Sequence, residues 1–498
     1  MKRRQWVRMS LATTLTCCSS RWRLSDQQEH SLADLQKHLR AGDLTALELM
    51  QHYLARIQRM DRSGPELRAV LELHPQVESM AWVSDQQKVD KPLRGLPILI
   101  KDNIDTSDEL LTTAGSLALL DAPKPASDAE LVIRLRSAGA LLFGKTNLSE
   151  WANFRSPNST SGWSARGGLT RNPHDPRHTA SGSSSGSSVA VAAGFCAAAI
   201  GTETNGSIIS PASACGIVGL KPSLGEISGR GIIPITHHQD TAGPMTRTVQ
   251  DAALIMDVIG KSGGGFYSAA LRPDALRGMR FGVLRSLCGQ HPAVLAVFEQ
   301  ALAVFREAGA ILVEDVEIPS HRQASGLAWR AMFTEFRADL NAYLSARGGA
   351  VQSLADLIAF NQAYAAEEMP YFAQEFLEMA ESCHTPTHQE EAAEARRLSK
   401  ILAGPQGIDI PLRELKLDAF ICATNDPAGE WDLQRGDADT RVCSSPAAVA
   451  GYPHLTVPMG RVNKLPVGLS FIGTAGSDSR LLAYGHAFEI LRAGVFQA

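Results

Sequence analysis

The sequence lacks the features that mark nucleic-acid binders and membrane-spanning proteins. Its 498 residues include 48 Lys and Arg against 52 Asp and Glu, a formal net charge of −4 at pH 7. Proteins that neutralise nucleic-acid phosphates carry a clear basic excess, so no nucleic-acid partner is expected. No uninterrupted apolar run reaches the roughly 18 residues that a membrane-spanning helix needs, so no membrane-spanning segment is expected either. The composition, 44% hydrophobic and 20% charged, is typical of a soluble globular protein.

Metal-binding patterns are also missing. The eight cysteines include no C-x-x-C pair, and none has a histidine at the spacing of a zinc site. We therefore interpret most of them as small buried apolar residues, and we expect neither a metal nor another cofactor. The cysteines are Cys17, Cys18, Cys196, Cys215, Cys288, Cys383, Cys422 and Cys443.

The N-terminal segment, residues 1–28, leaves two interpretations open. Arg3 and Arg4 precede an uncharged stretch over residues 9–20, a pattern that resembles a twin-arginine or general secretory leader. The apolar part is weak and no A-x-A cleavage site follows, which fits a disordered basic tail instead. A leader, which we favour, predicts a periplasmic or secreted protein, whereas a tail is compatible with a cytoplasmic one.

Short apolar runs alternate with helical patterns through the remaining chain. Strands are predicted at LPILI, ALLFG, MRFGVL, AILVED, LDAFICAT and PVGLSFIG, and a helix is predicted over 128–139 with Leu131, Ile133 and Leu135 as its apolar positions. This alternation predicts an α/β protein with a layered sheet, which we interpret as a single domain over residues 29–498. Between about 325 and 405 the sequence turns helical and more polar, which predicts a helical cover over one end of the sheet.

One motif matches a phosphate-binding loop in form only. Gly139 is followed after four residues by Gly144, Lys145 and Thr146. A phosphate loop needs a strand before its first glycine and an irregular loop of free N–H groups after it. Here a predicted helix comes before Gly139, and the intervening ALLF is itself a predicted strand. We therefore interpret the match as a coincidence.

A second motif nominates a nucleophile. The stretch GSSSG at residues 182–186 matches G-x-S-x-G, the nucleophile elbow, and points to Ser184. An elbow lies between a buried strand and a helix. The preceding RNPHDPRHTA contains two prolines and no apolar run, so the left flank argues against the elbow, although a helix is expected on the right.

A third pattern combines a lysine with two distant serines. Lys101 directly follows the strand LPILI, where poor solvation disfavours the ammonium form and lowers its pKa. A neutral lysine can act as a base. Ser183 lies in SGSSSGSS, and Ser207 follows 24 residues later in GTETNGSIISPA.

Taken together, these residues resemble the amidase signature family. The order and spacing of the motifs hold over about residues 30–495. The resemblance implies an amidase signature fold, with a large mixed, twisted sheet covered by helices on both faces. It also implies an enzyme that hydrolyses a carboxamide to a carboxylate and ammonia through an acyl-enzyme. The motifs are GLPILIKDNID, ALLFGKTNLSEW, SGSSSGSSVAVAAG, GTETNGSIISPASACGIVGLKPS, DTAGPMTRTVQDAAL, AVAGYPHLTVPMG and LPVGLSFIG.

The resemblance also implies the catalytic residues. Ser207 corresponds to the nucleophile, Ser183 to a bridging serine preceded by a cis peptide bond, and Lys101 to the base. Neutral Lys101 would accept a proton from Ser183, which would take the hydroxyl proton of Ser207. A serine hydroxyl needs such activation because it is a weak nucleophile by itself.

The oxyanion formed in this reaction would be stabilised by the backbone N–H groups around Thr204, Asn205, Gly206 and Ser207. The family often has two glycines before the nucleophile, and here Asn205 occupies the first of those positions. Because asparagine tolerates left-handed backbone better than most residues, the loop is expected to form, with the side-chain amide facing the substrate.

Within the family, EWANFRSPNSTSGWSARGG, GTETNGSI and QDTAGPMTR resemble the bacterial peptide amidases, which remove the C-terminal amide of peptides. A peptide amide or another small amide is therefore the expected substrate. A broad small-amide hydrolase is the main alternative; an amidotransferase component and a non-catalytic binding protein on the same fold come after it. Trp151, Phe154, Arg155 and Trp163 either line the cleft or belong to the core, and no pattern indicates an oligomeric state.

Overall fold

A computed structural model describes residue 24 and residues 30–87, 89–437 and 442–496. The candidate leader at residues 1–28 therefore lies outside the described residues, apart from Leu24. Among the described residues, no helix is both long enough and apolar enough to cross a bilayer.

Strands β1–β13 run through the described chain in sequence order. Eleven of them form one mixed sheet in the order β1-β3-β2-β6-β8-β7-β12-β13-β11-β9-β10, while β4 and β5 pair separately. Their bounds are β1 Val70–Leu73, β2 Pro97–Lys101, β3 Leu141–Thr146, β4 Trp163–Ser164, β5 Gly168–Leu169, β6 Ala198–Glu203, β7 Val218–Lys221, β8 Thr241–Thr246, β9 Arg280–Val283, β10 Ile311–Val313, β11 Ala419–Ala423, β12 His454–Val462 and β13 Leu465–Ile472.

Helices α1–α16 surround the sheet. The short helix α5 begins within SGSSSGSS at residues 181–188, which we call the serine-rich octet. Helices α9–α13 occupy most of the segment in which a helical cover is predicted. Their bounds are α1 Leu32–Ala41, α2 Ala46–Arg56, α3 Val77–Gln86, α4 Glu130–Ser137, α5 Ser185–Ala192, α6 Ile209–Cys215, α7 Val249–Ile259, α8 Pro292–Glu307, α9 His321–Arg347, α10 Leu354–Ala363, α11 Ala365–Glu368, α12 Glu375–Ser382, α13 Pro386–Ala403, α14 Asp409–Glu414, α15 Ser445–Ala450 and α16 Asp478–Phe496.

The middle of the sheet is buried on both faces. Every residue of β2, β3, β6, β7, β8 and β11 is buried. Successive strand residues point to opposite faces, so continuous burial means that helices cover both. The predicted α/β fold is thus confirmed, and so is the mixed sheet with helices on both faces. Strands buried on both faces appear in the sequence as continuous apolar runs, because neither face is left for polar residues.

Two parallel strand pairings bring Lys101, the predicted base, close to the end of a neighbouring strand. β2 pairs in parallel with β3 on one side and with β6 on the other, with Ile100 opposite Ile200. Because parallel strands end at the same edge of a sheet, Lys101 and Thr202 emerge side by side.

The structure corrects one position of the predicted helix at 128–139. Leu131 and Leu135 are buried in α4, but Ile133 is 41% exposed and Val132 is buried in its place. A spacing of two residues matches a strand, whereas a helix returns to the same face after three or four.

The phosphate-loop match is a coincidence, as the sequence indicates. Lys145 lies within β3 and is buried, where its Nζ donates to Ile104 O at 2.5 Å and to Thr112 Oγ1 at 2.9 Å. A lysine held in this way has no free ammonium to offer a phosphate.

The four aromatic and cationic residues considered as cleft walls are all buried. Phe154 packs among Phe333, Phe336 and Phe376, with ring centroids 4.8–5.7 Å apart. These contacts join the loop after β3 to helices α9 and α12, so Phe154 belongs to the core.

Arg155 fastens the chain between α11 and α12 to the loop that follows β3. Its guanidinium donates to Glu150 and to the carbonyl of Glu368, and it also donates to Phe372 O at 3.1 Å and Ala373 O at 3.2 Å. A guanidinium has five N–H donors in a rigid planar group, so it can bond several oxygens at once.

Helix α13 is fastened to α9 by a buried bidentate ion pair. Arg396 donates to Glu335 Oε1 at 2.9 Å and to Oε2 at 2.6 Å, and both side chains are almost fully buried. Burial acts to raise the pKa of Glu335, but the hydrogen bonds and charge of Arg396 outweigh it, so the pKa lies below its ordinary value. The third donor of Arg396, Nη1, reaches Gln239 Oε1 at 2.7 Å.

We expect Arg396→Met to lower the free energy of unfolding by about 3 kcal/mol, because it leaves the Glu335 carboxylate buried without its partner. The neighbouring pair supplies a matched control, since Arg397 holds Glu394 with two bonds of 2.7 Å on the exposed side of α13. Arg397→Met should cause a much smaller loss, because water screens an exposed ion pair. Urea denaturation measures both values, and equal losses would contradict the structural role of the buried pair.

Candidate active site

Lys101 is the last residue of β2 and is fully buried. Its Nζ lies within hydrogen-bond distance of Ser183 Oγ at 2.7 Å, Thr202 Oγ1 at 2.8 Å and Thr202 O at 3.2 Å. Burial lowers the pKa of Lys101 from 10.5 to about 7, and the carboxylates of Asp240 and Glu203 act in the opposite direction. The amine therefore carries a large neutral fraction near pH 7.

Ser183 follows a cis peptide bond from Gly182. A Cβ on Gly182 would lie 2.3 Å from Ser149 Oγ, so only glycine fits at this position. Two backbone bonds hold the turn: Ser149 N–H donates to Ser183 O at 3.1 Å, and Ser184 N–H donates to Ser207 O at 3.0 Å. The structure thus brings Lys101, Ser183 and Ser207 to one place.

Other serines of the octet satisfy backbone groups. Ser184 Oγ donates to Thr202 O at 3.0 Å and accepts from Thr202 N–H at 3.2 Å, which locks it onto β6. Ser185 donates to Ser181 O at 2.6 Å, and Ser188 donates to Ser185 O at 2.8 Å. Within residues 89–437, which are all described, no strand ends directly before Ser184, so the geometry of a nucleophile elbow is not formed.

The loop 204–207 runs from β6 towards α6 and is pinned at both ends. At its start, Thr204 O accepts from Gln239 Nε2 at 2.8 Å, and Thr204 Oγ1 donates to Asp240 Oδ1 at 2.6 Å. At its end, Glu203 Oε2 accepts the N–H groups of Ile208 and Ile209 at 2.8 and 3.0 Å.

Between these anchors, the backbone N–H groups of Thr204, Asn205, Gly206 and Ser207 donate to no acceptor in the described part of the chain. Gly206 has a φ of +87°, a conformation that glycine adopts without strain. Several free N–H groups in a fixed loop are what an oxyanion site requires.

The side-chain amide of Asn205 is held by the start of α15. Ser444 Oγ donates to Asn205 Oδ1 at 2.7 Å, and Asn205 Nδ2 donates to Ser445 Oγ at 3.0 Å. Both polar atoms are thus engaged by the start of α15, while the side chain is exposed and keeps a second N–H, so its contact with the substrate stays a prediction. The asparagine ties the loop to a part of the chain 240 residues further on.

Sequence reasoning missed the residues that support this loop. Asp240 accepts the N–H groups of Ile235 and Thr236 at 2.7 and 2.9 Å in addition to the hydroxyl of Thr204, and burial raises its pKa to about 6. Gln239 is oriented by Arg396. The motif QDTAGPMTR contains both Gln239 and Asp240, but only the fold shows that they reach the loop.

The residues beside Lys101 act as a brace. Asp102 Oδ2 accepts from Gly115 N–H at 3.1 Å and Oδ1 accepts from Arg166 at 3.1 Å, while Asn103 Nδ2 donates to Thr202 Oγ1 at 3.0 Å. Among the described residues, no three His, Cys, Asp or Glu side chains come together to hold a metal ion. The arrangement offers a buried amine with a lowered pKa, two serine hydroxyls and free N–H groups, the kinds of group that acyl transfer uses.

Comparison with known proteins agrees with the family that the sequence resembles. The Amidase family model matches residues 48–482. The structure of the native peptide amidase from Stenotrophomonas maltophilia superposes with a TM-score of 0.89 and 44% identity, covering 93% of this chain and 97% of that one.

Two further relatives have similar lengths. A probable amidase of Arabidopsis thaliana is 36% identical over 93% of this chain and 90% of its own. A component of the glutamyl-tRNA(Gln) amidotransferase of Symbiobacterium thermophilum is 32% identical over 92% of this chain and 96% of its own. The chain belongs to the amidase signature family, and it is an amidase.

Proposed function

We propose that this amidase removes the C-terminal amide of peptides, with Ser207 as nucleophile, Ser183 as proton relay and Lys101 as base. The observation that carries the proposal is the 2.7 Å contact between Lys101 Nζ and Ser183 Oγ, both of which belong to fully buried side chains. The pKa of about 7 makes this amine a competent base at neutral pH.

The hydrogen bonds of Lys101 suggest the direction of proton transfer. A neutral amine has two N–H groups and one lone pair. Thr202 O and Thr202 Oγ1 can accept both N–H groups, which leaves the lone pair for the hydroxyl of Ser183. Ser183 then takes the proton of Ser207 as the Ser207 oxygen attacks the amide carbon.

The backbone N–H groups of loop 204–207 stabilise the negative charge that develops on the substrate oxygen. Loss of one oxyanion donor typically costs about 3–4 kcal/mol of barrier. The proton held by Lys101 returns through Ser183 to the departing nitrogen, and ammonia leaves as the carbon–nitrogen bond breaks. Water then attacks the ester carbon on Ser207 while the same relay accepts one of its protons. The relay returns that proton to Ser207 Oγ as the ester bond breaks, and the acid product ionises and is released as its carboxylate.

A peptide substrate is supported by the degree of similarity. Identity to the peptide amidase is 44% over almost the whole of both chains, against 32% to the amidotransferase component. A broad small-amide hydrolase would use the same triad, so the choice between the two rests on the substrate.

We expect Ser207→Ala to lower the rate of ammonia release by at least about 10⁴-fold, since no other hydroxyl replaces the nucleophile. Ser184→Ala is the matched control, because it removes a neighbouring hydroxyl that only bonds to β6. It should retain activity within about tenfold of the unmodified enzyme. Circular dichroism establishes that both variants are folded. Full activity in Ser207→Ala would contradict the assignment, and if Ser184→Ala were inactive as well, the role of nucleophile would pass to Ser184.

A substrate panel tests the peptide assignment. We expect peptide amides to be hydrolysed with a kcat/KM at least about 100-fold above that of acetamide and butyramide, because remote binding energy is used to orient the reacting group. Ammonia release measured for each substrate provides the comparison. Turnover of the alkyl amides without turnover of peptide amides would contradict the assignment and favour a small-amide hydrolase.

A further inference from the structure

A buried glutamine holds the peptide plane that joins Thr204 to Asn205. Gln239 is 2% exposed, and its Nε2 donates to Thr204 O at 2.8 Å. The peptide between Thr204 and Asn205 is trans, so it is planar and its carbonyl oxygen and its N–H point in opposite directions. The bond to Thr204 O therefore also fixes the direction of the Asn205 N–H, which donates to no acceptor in the described part of the chain.

Arg396 determines which end of the glutamine amide faces the loop. Its Nη1 donates to Gln239 Oε1 at 2.7 Å. A guanidinium can only donate, whereas a glutamine amide has one end that donates and one that accepts. The amide must therefore present its oxygen to Arg396 and its nitrogen to Thr204 O. If the arginine were absent, a flipped amide could turn its own oxygen towards the carbonyl of Thr204.

The helical cover holds this arginine in place. Arg396 lies on α13 and is 4% exposed, and its bidentate pair with Glu335 on α9 fixes the guanidinium. Glu335 also accepts the hydroxyl of Thr236 at 2.7 Å. Thr236 and Gln239 belong to one segment, so this segment is fastened to both helices of the cover.

Thr204 has a second anchor, which acts on its side chain instead of on the peptide. Its Oγ1 donates to Asp240 Oδ1 at 2.6 Å. Rotation of the Thr204–Asn205 peptide would leave that bond intact but would break the bond from Gln239. Among the described residues, no group other than Gln239 donates to Thr204 O, so the orientation of this peptide depends on the glutamine.

We propose that Gln239, oriented by Arg396, is a positioning residue for the hydrolysis, because it keeps the Asn205 N–H directed at the substrate oxygen. When the bond is lost, the peptide can flip and present the Thr204 carbonyl, which repels a developing oxyanion. The effect falls on the transition state, because the negative charge develops only there. The inference rests on the proposed function, which assigns the oxyanion to loop 204–207.

The test replaces Gln239 with side chains that cannot donate to Thr204 O. Gln239→Met is similar in length and has no donor. Gln239→Glu can still accept from Arg396, but the paired carboxylate cannot donate, so it separates the loss of the donor from the loss of the contact with α13. We expect each variant to lower kcat for a peptide amide by about 100-fold or more, with KM changed by less than about threefold.

Inhibition by two ligands with the same peptide part provides a second measurement. The peptide acid carries no tetrahedral carbon. The matching trifluoromethyl ketone gains one when the Ser207 oxygen bonds to its carbonyl carbon, the electron pair of the carbonyl bond moves to its oxygen, and the hydroxyl proton passes to Lys101. We expect both Gln239 variants to weaken the ketone by about 100-fold and the acid by less than about threefold.

Gln374→Met is the matched control. Gln374 is 1% exposed, and its side-chain partners Asn361, Ile358 and Glu378 all lie in the helical cover. The variant should lower the free energy of unfolding, measured by urea denaturation, but leave kcat and both inhibition constants unchanged. An equal loss of kcat in Gln374→Met would mean that loosening the cover is sufficient and would overturn the proposal.

The other outcomes separate this inference from the proposed function. An unchanged kcat in folded Gln239→Met would overturn the positioning role, and so would a loss that appears equally in KM and in binding of the acid. If Ser207→Ala is inactive in the same experiment, the proposed function stands while the inference falls. Retained hydrolysis in Ser207→Ala would instead refute the catalytic assignment itself.

Discussion

The site depends on burying the amine of Lys101 at the end of a central strand. An ammonium group in that position would lose its hydration, so the neutral form gains and the pKa falls to about 7. Asp240 and Glu203 limit the fall because their carboxylates favour the charged form. Both acids also hold loop 204–207, so the residues that raise the pKa of Lys101 are the ones that shape the loop beside it.

The fold supplies this arrangement through a few long-range contacts. Parallel pairing of β2 with β3 and β6 places Lys101 against Thr202. Arg396, which lies on α13, donates to the side chain of Gln239, and Gln239 donates in turn to the carbonyl of Thr204. These hydrogen bonds connect a helix that covers the sheet to the loop that would bind the oxyanion. The side chains that make the connection are buried.

The strands and the lysine could be predicted because they depend on local pattern. Continuous apolar runs identify buried strands, and Lys101 ends one of them. The prediction for Ile133 is wrong because a two-residue spacing does not fit a helix. The partners of Asn205 could not be predicted, since Ser444 and Ser445 are distant in sequence and only the folded chain brings α15 to the loop. The role of Phe154 likewise required the position of α9.

The protonation of Lys101 tests the account most directly. Lysine labelled with ¹³C at Cε can be followed by NMR as pH is varied, in the Ser207→Ala protein, with Lys101→Met identifying the signal. The account predicts a midpoint at about 7, so that the neutral base accumulates above that pH and activity falls below it. A midpoint near the ordinary value of about 10.4 would mean that the amine stays charged at neutral pH and cannot serve as the base.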